Sequence, residues 1–247
     1  MHMIPNMART GILVHGLVLG AKGWENMIWG HAPDQMGRIP KAIQESLKHN
    51  TVLMYFGSGN TKKDGLTDGQ IAFKTLVDRQ KRLLEFTALK RLSQTVPRVE
   101  FVDDARTRGS VYFFGRKVDV VIDKRPCTTV GELRNAAEIF TERGIEQVVL
   151  VSSATHVQRC LRDAIVVFND KKYAGKYKKL AQNIIAVSAD TGYNGASADD
   201  VVIFEPPHRP DRPSYPLHHL AKGLFRVNPK KLSAFGKKFE KLVGEHS

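Results

Sequence analysis

The feature that most constrains the fold is the apolar run Val148-Val149-Leu150-Val151, followed at once by Ser152-Ser153-Ala154-Thr155-His156 and Arg159. An unbroken aliphatic run that short, closed by a polar turn, reads as a strand buried on both faces. Before it, Val130 to Arg143 has helical spacing and stops at Gly144, the residue type that most often follows a helix C-terminus. Behind it, Thr155 to Phe168 reads as a second helix. Two helix N-termini beside the C-terminal end of a parallel-type strand mark the place where open α/β sheets bind ligands.

The rest of the chain repeats the alternation. Gly11 to Gly16 reads as a core strand running into a glycine-punctuated loop that extends to Gly30. Ile39, Ala42, Ile43 and Leu47 give the segment 37–49 a helical apolar stripe. Thr51 to Phe56 is a second buried strand, closed by Gly57-Ser58-Gly59-Asn60. A long helix is predicted over 68–94, stopped by Pro97. Val111 to Phe114 reads as an edge strand or hairpin arm, and 118–123, 183–187 and 201–204 as further strands. The prediction is an α/β fold over residues 1–205: a Rossmann-like, mostly parallel sheet with helices on both faces. A Pro-rich connector, Pro206 to Pro213, then leads to two helices at 217–225 and 229–243. They form a C-terminal helical extension, 206–247, expected to pack on the same domain.

The 247 residues carry a formal net charge of +13, which favours anionic partners without choosing among them. The lysine clusters at 171–172, 176–179 and in the tail, interleaved with Tyr173 and Tyr177, suit a solvated surface better than a nucleic-acid interface. The two cysteines, Cys127 and Cys160, make no metal or redox motif, and no residue pattern demands a metal. Cys127, ahead of a helix start, is read as loop packing rather than a nucleophile. The apolar segment 11–19 is too short to span a bilayer and lacks a small-residue cleavage site behind it. It is read as a buried strand of a cytoplasmic protein.

Three strand ends carry small residues: His15-Gly16, Gly57-Ser58-Gly59 and Ser152-Ser153. In a parallel sheet they fall along one edge, where glycine permits close backbone approach or positive φ. No phosphate-loop or dinucleotide fingerprint accompanies them. Thr129 and Glu132 have capping-box spacing, and Asn135 lies one turn beyond. His156 and Arg159, at i and i+3 on a first helical turn, can both face a ligand. The imidazole, held neutral by the helix N-terminus, would serve as acid or base, and the guanidinium would clamp an anion. Asp190, just past a strand, falls at the sheet edge, whereas the adjacent pairs Asp103-Asp104 and Asp199-Asp200 face opposite ways in extended chain.

Three stretches resemble the SanA/YdcF-like family. They are His15-Gly16 followed by the helix start Gly37-Arg38-Ile39-Pro40-Lys41-Ala42, the strand end Gly57-Ser58-Gly59, and Thr129-Val130-Gly131-Glu132-Leu133-Arg134-Asn135-Ala136 with Val151-Ser152-Ser153-Ala154-Thr155-His156-Val157-Gln158-Arg159. The similarity covers roughly residues 11 to 205. It departs at Asn135, displaced from the family's Glu-Asn pair, and in a longer first loop bearing Trp24 and Trp29. The resemblance implies a Rossmann-like sheet with a polar cleft and a nucleotide-type ligand, S-adenosylmethionine among them.

The expectation is an enzyme, hydrolase or group transferase, acting on a phosphorylated or nucleotide-like small molecule. His156 would supply acid/base chemistry, and Arg38 and Arg159 would clamp anionic groups. Gly16, Gly57, Ser58, Gly59, Thr129, Glu132, Asn135, Ser152 and Ser153 would line the cleft. The alternatives are a non-catalytic nucleotide or S-adenosylmethionine binding module, and nucleic-acid binding through the lysine clusters.

Overall fold

The structure, a computed structural model, describes residues 8–17, 19–20, 23–59, 61–92, 98–101, 108–113, 116–125, 128–173 and 175–191. All lie in the first of two compact units, Met1–Val202. The strand expected at 201–204, the Pro-rich connector, the two C-terminal helices, Cys127 and both aspartate pairs lie outside the described residues.

In chain order the elements are β1 (Thr10–Val14), α1 (Trp24–Ile28), the short ribbon β2 (Gly30–His31) and β3 (Gln35–Met36), α2 (Arg38–Lys48) and β4 (Thr51–Phe56). A second ribbon follows, β5 (Lys62–Lys63) and β6 (Leu66–Thr67), then α3 (Asp68–Arg79), a 3-10 turn (Gln80–Glu85) and α4 (Thr87–Leu92). Next come β7 (Arg98–Phe101), β8 (Arg108–Phe113), β9 (Arg116–Ile122), α5 (Thr129–Glu142), β10 (Gln147–Ser153), α6 (Ala154–Phe168), α7 (Lys178–Gln182) and β11 (Ile184–Ala189).

The seven-stranded sheet runs β11-β10-β1-β4-β9-β8-β7. The first five strands pair in parallel, and β8 and β7 close the other edge as an antiparallel hairpin arm against β9. Strand progression along the chain reverses between β1 and β10, which makes their C-terminal ends a topological switch point. The mostly parallel α/β sheet expected from the sequence is therefore present.

Alternation along the strands fills two cores. Ile12 and Val14 of β1, with Met54 and Phe56 of β4, pack against Ile39, Ala42 and Ile43 of α2 and Phe73 and Leu76 of α3. On the opposite face, Leu13, Leu53 and Tyr55 meet Leu133, Ala136 and Phe140 of α5 and Cys160 and Ala164 of α6. A side chain at Gly11 would meet Ile145 Cδ1 at 2.9 Å and the Phe140 ring at 3.0 Å, so this strand position is glycine to admit the Phe140 ring.

Three local expectations are corrected. The helix predicted over 68–94 is broken by the 3-10 turn, with Phe86 extended and fully buried against Trp29. Tertiary burial of Leu83 and Phe86 overrides an uninterrupted helical period. The predicted loop from Gly16 to Gly30 contains α1. The capping box expected at Thr129–Glu132 is absent: Thr128 is the N-cap, accepting from Gly131 N at 3.3 Å. Glu132 shares the buried stripe of α5 with Thr129, Leu133 and Ala136, so its carboxylate faces the sheet rather than reaching back to the cap. A capping box does form at Thr67 and Gln70, at the start of α3.

Candidate functional site

The switch point between β1 and β10 gathers most of the residues singled out in the sequence. At the end of β1, His15 is buried, and its Nδ1 pairs with Glu132 Oε2 at 2.7 Å. The other carboxylate oxygen of Glu132 accepts from Gly16 N at 2.9 Å. Burial works against a charge on His15, but the Cys160 sulfur and the Glu132 carboxylate more than offset it. The imidazolium is retained, with its pKa raised to about 10.

Asp68, the first residue of α3, closes the same strand ends from the other side. Its carboxylate accepts from Leu17 N at 2.6 Å and from Gly59 N at 2.8 Å. Burial and the neighbouring Glu132 push its pKa up to about 6, against the backbone bonds that favour the ionised form. The glycines at these ends are required by space. A Cβ on Gly16 would sit on Asp68 Oδ2, 2.5 Å from Gly59 N and 2.7 Å from Glu132 Oε1, and a Cβ on Gly57 would lie 2.7 Å from Glu132 Oε1. Neither Gly16, Gly57 nor Gly59 has positive φ. The backbone amides of Gly16 and Gly59, expected to face an anion, are bonded by the chain's own carboxylates.

Arg38, on the first turn of α2, is also turned inward. It donates to the carbonyl oxygens of His15 at 2.7 Å and Gly16 at 2.6 Å, and to Ser153 Oγ at 3.0 Å. It is 2% exposed, so it joins the ends of β1 and β10. Ser58 is likewise a tie within the scaffold, fully buried between the Asp123 carbonyl oxygen and Thr67 Oγ1.

The solvent side of the switch point belongs to the first turns of α5 and α6. Half-buried His156 has Nε2 at 3.2 Å from Thr129 Oγ1 and Nδ1 at 3.1 Å from Ser152 Oγ. Exposed Arg159 donates to Thr129 Oγ1 at 3.2 Å. Placing the His156 proton on Nδ1 makes this chain consistent: Arg159 donates to Thr129, Thr129 donates to Nε2, and Nδ1 donates to Ser152. Burial, then the charges of Arg38, His15 and Arg159, lower the His156 pKa to about 2, so the ring is neutral. Among the described residues no side chain caps α6, whose N-cap is Ser153. Its first amides, at the positive end of the helix dipole, thus receive no hydrogen bond from the N-cap side chain.

Asn135 points elsewhere. Its Nδ2 donates to Asp123 Oδ2 at 2.9 Å, where Tyr55 Oη also donates at 2.5 Å and Arg125 N reaches Oδ1 at 3.0 Å. Burial alone would raise the Asp123 pKa. Bonds from Tyr55, the Arg125 backbone, Asn135 and the Arg125 side chain prevail and hold it below the usual carboxylate range. Asp190 is bound at the sheet edge by Met36 N at 3.0 Å and Lys41 Nζ at 2.7 Å. Tyr177 is buried and stacks with Tyr173 at 5.2 Å, which leaves its ring unavailable for a nucleobase.

The structural partnerships of His15, Asp68 and Asp123 were missed in the sequence. His15 is legible only as a strand end, Asp68 only as a helix start, and Asp123 only as the end of a strand. Among the described residues no group of three or more His, Cys, Asp or Glu can hold a metal ion, and no helix is long and apolar enough to cross a membrane. No protein-family model, curated protein or solved structure matches this chain.

Proposed function

We propose that the chain is an enzyme acting on a phosphorylated or nucleotide-like small molecule, as a hydrolase or group transferase, at the switch point between β1 and β10. The observation that carries this reading is His156: a neutral, half-buried imidazole joined to hydroxyls at two helix starts, beside Arg159. An anionic group seated on the first amides of α6 would be held by the helix N-terminus and by Arg159. With the charge of the bound anion offsetting the cations that depress its basicity, His156 Nε2, an acceptor in the resting network, would take the proton of an attacking water or acceptor hydroxyl. Arg38, Glu132 and Asp68 act as positioning residues, fixing the strand ends against which the ligand lies.

Membership of the SanA/YdcF-like family is part of the same proposal. It is supported by the convergence of Thr129, Glu132, Ser152, Ser153, His156 and Arg159, from two separate sequence stretches, on one sheet edge.

The test is thermal unfolding of the full chain with a panel of phosphomonoesters, nucleotides and S-adenosylmethionine, followed by product analysis of any compound that stabilises it. A concentration-dependent rise in Tm that disappears in Arg159→Ala, with product formation abolished in His156→Ala, supports the enzyme. Stabilisation with no product on prolonged incubation supports a binding module instead. No stabilisation by any phosphorylated compound overturns both.

A further inference from the structure

The last turn of α6 and the chain just behind it lie at the end of the sheet away from the switch point, and the proposed function uses none of their side chains. α6 starts at the switch point, and its fifteen residues carry the chain about 22 Å toward the opposite end. There the chain folds back on the helix. Tyr177 is buried, with its ring 6.3 Å from that of Phe168 and 5.2 Å from that of Tyr173. Backbone bonds from Tyr173 N to Asp170 O at 2.7 Å and from Lys176 N to Tyr173 O at 2.8 Å hold the turns.

Two kinds of group stand side by side on this end. Lys171, Lys172, Lys176 and Lys178 are exposed, and among the described residues none of the four has a carboxylate partner. Neighbouring carboxylates are engaged elsewhere: Asp163 with Arg162 at 2.8 Å, Asp170 with Lys172 N at 2.9 Å and Glu146 with Lys179 at 2.7 Å. Glu138 and Glu142 of α5 approach Tyr177 together with Arg134. Ile165 and Val166, on the last turn of α6, are each 49% exposed, and with Leu92 they are the exposed large hydrophobics among the described residues. A single exposed aliphatic side chain is ordinary, whereas an adjacent pair beside unpaired lysines marks an interaction surface.

We infer that this end of α6 is a peripheral membrane-binding surface, on which Ile165 and Val166 enter the headgroup boundary of an anionic bilayer and the four lysines contact its lipid headgroups. The inference is independent of the proposed function. A nucleic-acid backbone would engage the lysines but leave both aliphatic side chains in water. Tyr173 and Tyr177 stack on each other and carry Lys172 and Lys176 over their rings, an arrangement that does not admit bases. The two features together are the apolar and basic signals that reversible attachment to a membrane surface combines.

The test is flotation of the full chain with vesicles of phosphatidylcholine alone and of phosphatidylcholine with one-quarter phosphatidylserine. The expected result is binding to the mixed vesicles and little to phosphatidylcholine. Lys171→Ala with Lys172→Ala should weaken that binding about thirtyfold. Ile165→Gln with Val166→Gln, which keeps a good helix former at both positions, should weaken it at low and high salt alike. All four positions are exposed, so an unchanged Tm in each variant shows that a loss of binding is not unfolding. No preference for the mixed vesicles, or binding that survives the lysine substitutions, overturns the surface. Binding that needs the lysines but ignores Ile165 and Val166 overturns the membrane assignment in favour of a polyanion such as nucleic acid or an acidic protein. The phosphate site stands or falls separately, since its tests read Arg159 and His156.

Discussion

Thr129 Oγ1 stands 3.2 Å from His156 Nε2, joining the first turns of two helices whose contacting residues are 27 positions apart. The contact exists because the capping role passes to Thr128, which frees the Thr129 hydroxyl to face the switch point. Thr129 also accepts from Arg159, so one hydroxyl couples the proposed base to the proposed anion clamp. Thr129→Val and His156→Ala should each weaken turnover of whatever phosphorylated compound stabilises the chain. Because the two residues share one network, the double variant should lose less than the sum of the single losses. The non-additivity should be about 1 kcal/mol, measured as kcat/KM in a double-mutant cycle.

Arg38 is the tie between strand ends. Arg38→Ala removes the donor from two carbonyl oxygens and from Ser153. It should destabilise the fold by about 2–4 kcal/mol in urea unfolding, the range for leaving buried polar groups without a partner. Arg38→Lys should restore little of this, since an ammonium lacks the planar fork that spans two carbonyls and a hydroxyl.

Gly16 separates a spatial requirement from a conformational one. Gly16→Ala places a methyl group on Asp68 Oδ2 and within 2.5 Å of Gly59 N. Backbone must shift to admit it, at a cost of about 1–3 kcal/mol or more. Gly20, where a Cβ would meet nothing within 4 Å, is the control. Gly20→Ala should change stability by less than about 0.5 kcal/mol. Urea unfolding of both variants checks the contrast.

The two histidines at the switch point oppose each other in pH. For His15 the folded pKa, raised to about 10, lies above the ordinary 6.5. Its contribution is therefore complete below 6.5 and is lost as pH rises toward 10. For His156 the folded pKa, lowered to about 2, lies below 6.5, so its contribution is complete above 6.5 and is lost as pH falls toward 2. Each group alone imposes a slope of up to about 1.4 kcal/mol per pH unit within its window. Asp68, raised from 3.8 to about 6, acts in the opposite sense to His156 and softens the acid limb between those values. Unfolding free energy should pass through a maximum near neutral pH, and Glu132→Gln should flatten the alkaline limb. Urea unfolding across the pH range checks both.

The sheet was legible because its strands are short aliphatic runs closed by glycine or serine, a pattern that depends only on local sequence. Val148 to Val151, Thr51 to Phe56 and Gly11 to Val14 all lie in strands of the parallel sheet. What the pattern does not carry is the direction of polar side chains. Glu132 has capping-box spacing from Thr129, yet one residue of offset in the cap turns it to the buried stripe and into contact with His15, 117 positions away. Arg38 and Ser58 read as cleft residues by their positions at element ends. Their buried partners are backbone carbonyls contributed by strand ends elsewhere along the chain, which no local spacing encodes. The break before Phe86 escaped for the same reason, since its cause is burial against Trp29.

The most direct measurement is a crystal structure of the full chain grown with inorganic phosphate. The account predicts a phosphate on the first amides of α6, within hydrogen-bond distance of Arg159 and close to the ring of His156. Phosphate held only by surface lysines, with none at the β1–β10 switch point, would contradict it.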